Sequence, residues 1–307
     1  MTTFDPARPG AFERPVLLDG GMGQELIARA GRETSNWSAE FLTSHPELVR
    51  RIHRDFFEAG ADVATVNSYG VNRRRHPTAA ERDALNDAAG RAALDAREAH
   101  GRGLIAGSLP PYGGSYVPSA VADVAELAPL YEEQARALAP YVDFYLCETM
   151  STPAEGRAAA LGAAALGKPV WEAWTLADDG SGLLRDGSTL DAAVDAVADL
   201  GVAAFLVNCS APEALAPAIP ELARRGVPGA YANGFRRIPD GWALSGATSA
   251  ALGRREELSP AAYLEEARGW IDGGARIVGG CCHIGPAHIA ALAAEIGAGA
   301  ADFGRVA

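Results

Sequence analysis

The side chains best suited to chemistry in this sequence are its four cysteines, Cys147, Cys209, Cys281 and Cys282. The start, MTTFDPARPGAFERP, lacks the apolar core of a secretory signal, and no apolar run approaches membrane-spanning length. A cytoplasmic location is therefore expected, and with it reduced thiols rather than disulfides. A reduced cysteine serves as packing, as a nucleophile or as a metal ligand. Where three thiols converge they make a soft, sulfur-rich site that best matches zinc, with a fourth position open. Cys147 adjoins Glu148, and neighbours on an extended strand point to opposite faces. If Glu148 faces an interior, Cys147 is packing on the other side.

Eight short, mostly continuous apolar segments could position these groups: Val16–Asp19, Asp62–Val66, Leu104–Ser108, Asp143–Glu148, Pro169–Thr175, Ala203–Asn208, Gly229–Asn233 and Arg276–Gly280. Such runs fit parallel strands buried on both faces. Between them, prolines at Pro46, Pro153, Pro212 and Pro286 mark first helical turns, where a missing N–H is harmless. From Pro46, the residues Leu48, Val49, Ile52, Phe56 and Phe57 line one helical face that ends at Gly60. Returns such as Glu58-Ala59-Gly60-Ala61-Asp62 and Asp272-Gly273-Gly274-Ala275-Arg276 repeat helix, glycine, strand. This repetition predicts an α/β fold, a single (β/α)8 TIM-type barrel, rather than an open sheet. The expected layout is a loose N-terminal tail over residues 1–14 and one catalytic barrel domain over 15–307. The longer inserts Pro110–Ala125 and Phe235–Ser259 should be loops near the active face.

Working residues in such a barrel gather at the C-terminal ends of the strands. There the first strand ends in Asp19-Gly20-Gly21-Met22-Gly23 and the second runs into Asn67-Ser68-Tyr69. Glu148-Thr149 closes the fourth, Asn208-Cys209 the sixth, Asn233-Gly234 the seventh and Gly279-Gly280-Cys281-Cys282 the eighth. Three of the four cysteines thus share one rim. Adjacent cysteines can both ligate only if the chain turns there, and Gly279-Gly280 would permit the turn.

The segment Leu17–Gly23, the Asn208-Cys209 pair and Gly279-Gly280-Cys281-Cys282 resemble the three signature segments of the homocysteine S-methyltransferase family. The similarity extends through Asn36-Trp37-Ser38, Glu58–Asp62, Cys147-Glu148-Thr149 and Ser188-Thr189-Leu190, essentially the whole chain. It implies zinc (Zn2+) held by Cys209, Cys281 and Cys282 as the catalytic centre. It also implies methyl transfer to the thiolate of homocysteine, giving methionine, from an onium donor of S-methylmethionine, S-adenosylmethionine or betaine type. Asp19 and Glu148 would hold the amino group of homocysteine, and backbone N–H groups around Gly21 and Met22 its carboxylate. A glycine-rich turn opening a helix suits an anion independently. Asn208 enters the substrate set through its place beside Cys209. An onium donor calls for aromatic faces, for which Trp37, Tyr69 and Trp174 are the candidates, although Trp171 and Trp174 could both be core. Without substrate, Asn233 or Tyr69 could fill the open zinc position. The turn His283-Ile284-Gly285-Pro286 departs from the family's Thr-rich one, and His283 follows Cys282 too directly for an easy closed four-ligand site.

The net charge of −12 argues against a nucleic-acid partner, since phosphates attract basic surfaces. The partners expected are small molecules, homocysteine and the methyl-onium donor, with no membrane and a monomer or small homo-oligomer. Two other readings stay open: a methyltransferase using another thiol or selenol acceptor, and a non-catalytic barrel with structural zinc.

Overall fold

The computed structural model describes residues 4–32, 38–239, 242 and 249–298. Its eight strands are β1 (Val16–Leu17), β2 (Val63–Thr65), β3 (Leu104–Leu109), β4 (Phe144–Met150), β5 (Val170–Trp174), β6 (Ala204–Asn208), β7 (Pro228–Ala232) and β8 (Ile277–Gly280). All pairings are parallel, in the order β1-β8-β7-β6-β5-β4-β3-β2, and a parallel bridge between Leu18 and Val63 brings the two ends of the sheet together. Helices alternate with the strands, so the chain is a (β/α)8 barrel. All eight expected segments are strands. The first is shorter than expected because the Asp19 carboxylate, rather than its carbonyl, accepts from the Thr65 N–H and hydroxyl, which ends the regular ladder between the two strands.

Strand parity sorts the side chains. Leu18, Val63, Ala106, Phe144, Leu146, Trp171, Ala173, Leu206 and Ile277 pack together inside the barrel. The alternate residues, with Cys147 and Trp174 among them, pack outward against the helices in a larger cluster. The helix Pro46–Glu58 shows how that layer forms: Val49, Ile52, Phe56 and Phe57 are fully buried along one face, each contributing about 1.5–3 kcal/mol. Gly60 then takes φ of +104° to turn into β2, and a Cβ there would meet that of Ala293 at 2.5 Å.

The chain's start is not loose where it is described. Phe4 and Phe12 pack edge-on at 5.3 Å, Phe4 meets Trp171 at 6.4 Å, and the Trp171 indole donates to the carbonyl of Pro6 at 2.8 Å. Arg14 grips Asp62 through two hydrogen bonds of 2.6 and 2.8 Å. The reason is hydrophobic. Without this plug, the rings of Phe144 and Trp171 at the strands' N-terminal ends would face water. Among the described residues no helix is long and apolar enough to cross a membrane.

Candidate active site

The three rim cysteines meet. Their sulfurs all lie within 4.8 Å of one another, with Cys209 Sγ 2.8 Å from Cys281 Sγ and 4.0 Å from Cys282 Sγ. Cys209 leaves β6 in a left-handed conformation, φ +48°, which swings its side chain toward β8. On β8 the turn that lets both adjacent cysteines face the site comes after the pair. The N–H of Ile284 bonds the carbonyl of Cys281 at 3.1 Å, with His283 at φ +64°. The preceding glycines therefore have a different role from the one expected of them. A Cβ at Gly280 would sit 2.2 Å from Ile284 Cγ2, and one at Gly279 2.6 Å from Leu18 Cβ. They let the turn fold back against β1.

Beside the thiols lie two buried carboxylates. Asp19 accepts hydrogen bonds from the Thr65 N–H (2.8 Å) and hydroxyl (2.9 Å), and Glu148 accepts one from Ser108 at 2.5 Å. Burial raises Asp19 to about 7 against the opposing bonds from Thr65. Burial raises Glu148 to about 8 against the bond from Ser108, helped by the negative charges of Cys209 and Asp19. Among the described residues no cationic side chain offsets either carboxylate. Asp19, Glu148, Cys209, Cys281 and Cys282 line one pocket at the C-terminal end of the barrel, with Gly21, Met22 and Tyr69.

Comparison with known proteins decides what this pocket belongs to. The family model described as homocysteine S-methyltransferase matches residues 16–296. The homocysteine S-methyltransferase of Escherichia coli (strain K12) is 34% identical, over 91% of this chain and 94% of its own length. A second relative, homocysteine S-methyltransferase YbgG of Bacillus subtilis (strain 168), is 28% identical over 91% and 93%. The crystal structure of the homocysteine methyltransferase MmuM from Escherichia coli, in a metallated form, has a TM-score of 0.76 at 31% identity, covering 95% of this chain and all of that one. The chain belongs to the homocysteine S-methyltransferase family. Its members are zinc-dependent methyltransferases.

The thiol cluster suits the zinc of that family. Burial alone would raise Cys209, but hydrogen bonds from Cys281, Cys282 and Tyr116 outweigh it and hold that thiol well below the usual range. Cys281 and Cys282 are pushed well up, chiefly because each hydrogen-bonds Cys209. One thiolate is stable here; three need a cation among them. Sulfurs bound at about 2.3 Å to a tetrahedral zinc are roughly 3.8 Å apart, so the 4.0 Å pair already fits. The 2.8 Å pair must open by about 1 Å, a side-chain adjustment. His283 turns aside, its ring edge-on to Phe235 at 5.1 Å, and it is not part of the thiol cluster.

The other residues expected in a homocysteine S-methyltransferase site are placed unevenly. Tyr69 lines the pocket and hydrogen-bonds Ser115 at 2.8 Å. Gly21 lines it too, but its N–H already bonds the carbonyl of Ile284 at 2.8 Å, so it has no amide to offer a carboxylate. The first turn of the helix Met22–Ala30, whose N–H groups have no partner within the helix, remains for that task. Asn208 does not line the pocket. Its amide accepts from the Thr149 N–H at 2.9 Å and donates to the Thr149 hydroxyl at 2.8 Å, holding the end of β4 against β6. Trp174 is fully buried on the helix side of β5, 6.2 Å from Phe205, because the inward parity on that strand belongs to Trp171 and Ala173. Asn233 directs its amide nitrogen at Cys209 Sγ from 3.9 Å, while its oxygen accepts from Phe235. Trp37 lies outside the described residues.

Thr65, Ser108 and Tyr116 were not singled out in the sequence. Parity could have found the first two: Val63 precedes Thr65, and Leu104 and Ala106 precede Ser108, on the inward face. Tyr116 stands in a loop and carries no such signal.

Proposed function

We propose that this chain transfers a methyl group from an onium donor to the thiolate of homocysteine, releasing methionine and the demethylated donor, whose sulfur or nitrogen is left uncharged. One observation carries the reading. Three convergent thiols share a pocket with two buried carboxylates that lack a cation, so the site complements a molecule bearing both a thiol and an ammonium.

Cys209, Cys281 and Cys282 would hold the zinc, whose charge would let an incoming thiol bind as its thiolate near neutral pH. Asp19, oriented by Thr65, and Glu148, oriented by Ser108, take the ammonium between them. Its charge lowers both carboxylates from about 7 and about 8, so amine affinity rises as pH climbs through that range. The first-turn amides after Gly21 take the carboxylate. With three points held, the sulfur faces the open pocket, where Tyr69 supplies an aromatic face for the donor. The sulfur lone pair forms the new S–CH3 bond as the donor's C–S⁺ or C–N⁺ bond breaks. The bonding pair stays on the departing heteroatom, and no proton moves in that step. We place the enzyme in the cytoplasm, as a monomer or small homo-oligomer without a nucleic-acid or membrane partner. That all three thiols line one pocket with both carboxylates favours this over a structural zinc.

The test is a donor panel. Zinc-loaded protein and homocysteine are mixed with S-methylmethionine, S-adenosylmethionine, betaine or dimethylsulfoniopropionate, and methionine is measured by mass spectrometry. Methionine from at least one donor is expected. Metal-replete protein that makes none from any of the four would overturn the assignment.

A further inference from the structure

Tyr116 is the residue that neither the resemblance nor strand parity indicated. It sits in the loop after β3, directly behind Gly113-Gly114-Ser115, and is 3% exposed. Its hydroxyl lies 2.9 Å from Cys209 Sγ, closer than any other oxygen or nitrogen hydrogen-bonded to a rim sulfur among the described residues. Its backbone is left-handed, φ +66°, a conformation that costs a tyrosine energy and persists only where surrounding packing enforces it.

The enforcement is visible. The guanidinium of Arg185 lies over the Tyr116 ring, 4.7 Å from its centroid, and Trp242 packs on it at 5.8 Å. The side chain of Arg185 is itself largely shielded, 7% exposed. It donates to the Thr175 hydroxyl at 3.1 Å and approaches Asp178 at 3.5 Å. The Thr175 hydroxyl donates to the carbonyl of Cys209 at 3.3 Å, and Asp178 accepts from the N–H groups of Ala211 and Ile238. Loops after β3, β5, β6 and β7 thus lock together around one contact, hydroxyl to sulfur. A cation over the ring also draws electrons from the phenol and makes its hydroxyl a better donor.

We propose that Tyr116 is a positioning residue that donates a hydrogen bond to the Cys209 thiolate, held in place by Arg185, and so makes room electrostatically for a fourth thiolate. Three thiolates on one divalent ion carry a net negative charge, and homocysteine adds another in a buried pocket that already holds Asp19 and Glu148. A donor on Cys209 withdraws charge from that sulfur and eases the addition. This inference rests on the metal-site reading above.

Cobalt(II) in place of zinc gives a direct readout, because thiolate-to-cobalt charge-transfer absorption follows the energy of the sulfur lone pairs. Tyr116→Phe keeps the ring under Arg185 and removes only the hydroxyl. The expected result is full cobalt uptake with the charge-transfer band moved to lower energy. In the zinc enzyme, the homocysteine KM should rise about tenfold, the scale of one charge-assisted hydrogen bond, with kcat changed much less. Should Tyr116→Phe fail to fold, Arg185→Met decides. Asp178 keeps its two backbone partners there, and the same band should move the same way by less. A band unmoved in the folded variant overturns the role of Tyr116. Absence of any charge-transfer band in the cobalt-loaded parent protein defeats the metal site itself, a separate failure.

Discussion

The two ends of this barrel are built from the same eight strands by opposite chemistry. At the N-terminal end, Phe4, Phe12, Phe144 and Trp171 close the interior with aromatic surface, sealed by the Arg14–Asp62 pair. At the C-terminal end the inward positions become Thr65, Ser108, Glu148 and Cys281, and buried carboxylates stand without cations. The five non-glycine residues with left-handed backbone among those described are Ser38, Tyr116, Thr149, Cys209 and His283, and all belong to this end. Each such conformation costs about 1–2 kcal/mol. One end is assembled for stability; the other holds strain and unmatched charge for a ligand to use.

Alterations at the two ends should therefore have different consequences. The largest effect belongs to Cys209→Ala. Bound zinc should fall from about one equivalent to background and methionine formation with it, while circular dichroism stays native. Full zinc by atomic absorption would remove the cysteine from the site. Next comes Trp171→Ala at the plugged end. It should lower stability in urea titration by about 3–5 kcal/mol and leave zinc content and homocysteine KM unchanged in the folded fraction. A changed KM there would mean the two ends are coupled.

Glu148→Gln sharpens the contrast at the rim. The homocysteine KM should rise about thirtyfold with zinc retained. The smallest effect is on pH. Folded-state values of about 7 for Asp19 and about 8 for Glu148 lie above those of an unfolded chain, about 4. Their protonation therefore favours the fold. That contribution is complete below about pH 4 and is lost as pH rises through 7 and 8. Substrate-free Glu148→Gln should lose less melting temperature than the parent protein between pH 5 and 9. Equal slopes would show that Glu148 is not held protonated.

Much of this was legible in the chain. Continuous apolar runs, prolines at first helical turns and glycines after helices follow from backbone sterics and burial, which act locally, so the barrel could be read directly. The cysteine pair and the Asn-Cys segment identified the metal-binding rim because strand ends converge in this fold whatever the loops do. Local pattern failed where a side chain's direction depends on neighbours far along the chain. Trp174 looked like a donor platform, yet its parity sends it to the helices. Asn208 looked like a substrate contact, yet Thr149 takes both ends of its amide. The glycines before the paired cysteines serve close packing against Leu18 and Ile284, with the turn left to His283.

The barrel, the rim and the thiol set can be read along the chain, because they rest on periodicity, on convergent strand ends and on the softness of sulfur. Which atoms meet depends on how the loops fold over one another. Tyr116 reaches Cys209 across 93 positions of sequence, held by an arginine from a third loop. Such a contact leaves no period or spacing to read, since nothing in the intervening chain needs to change for it to form.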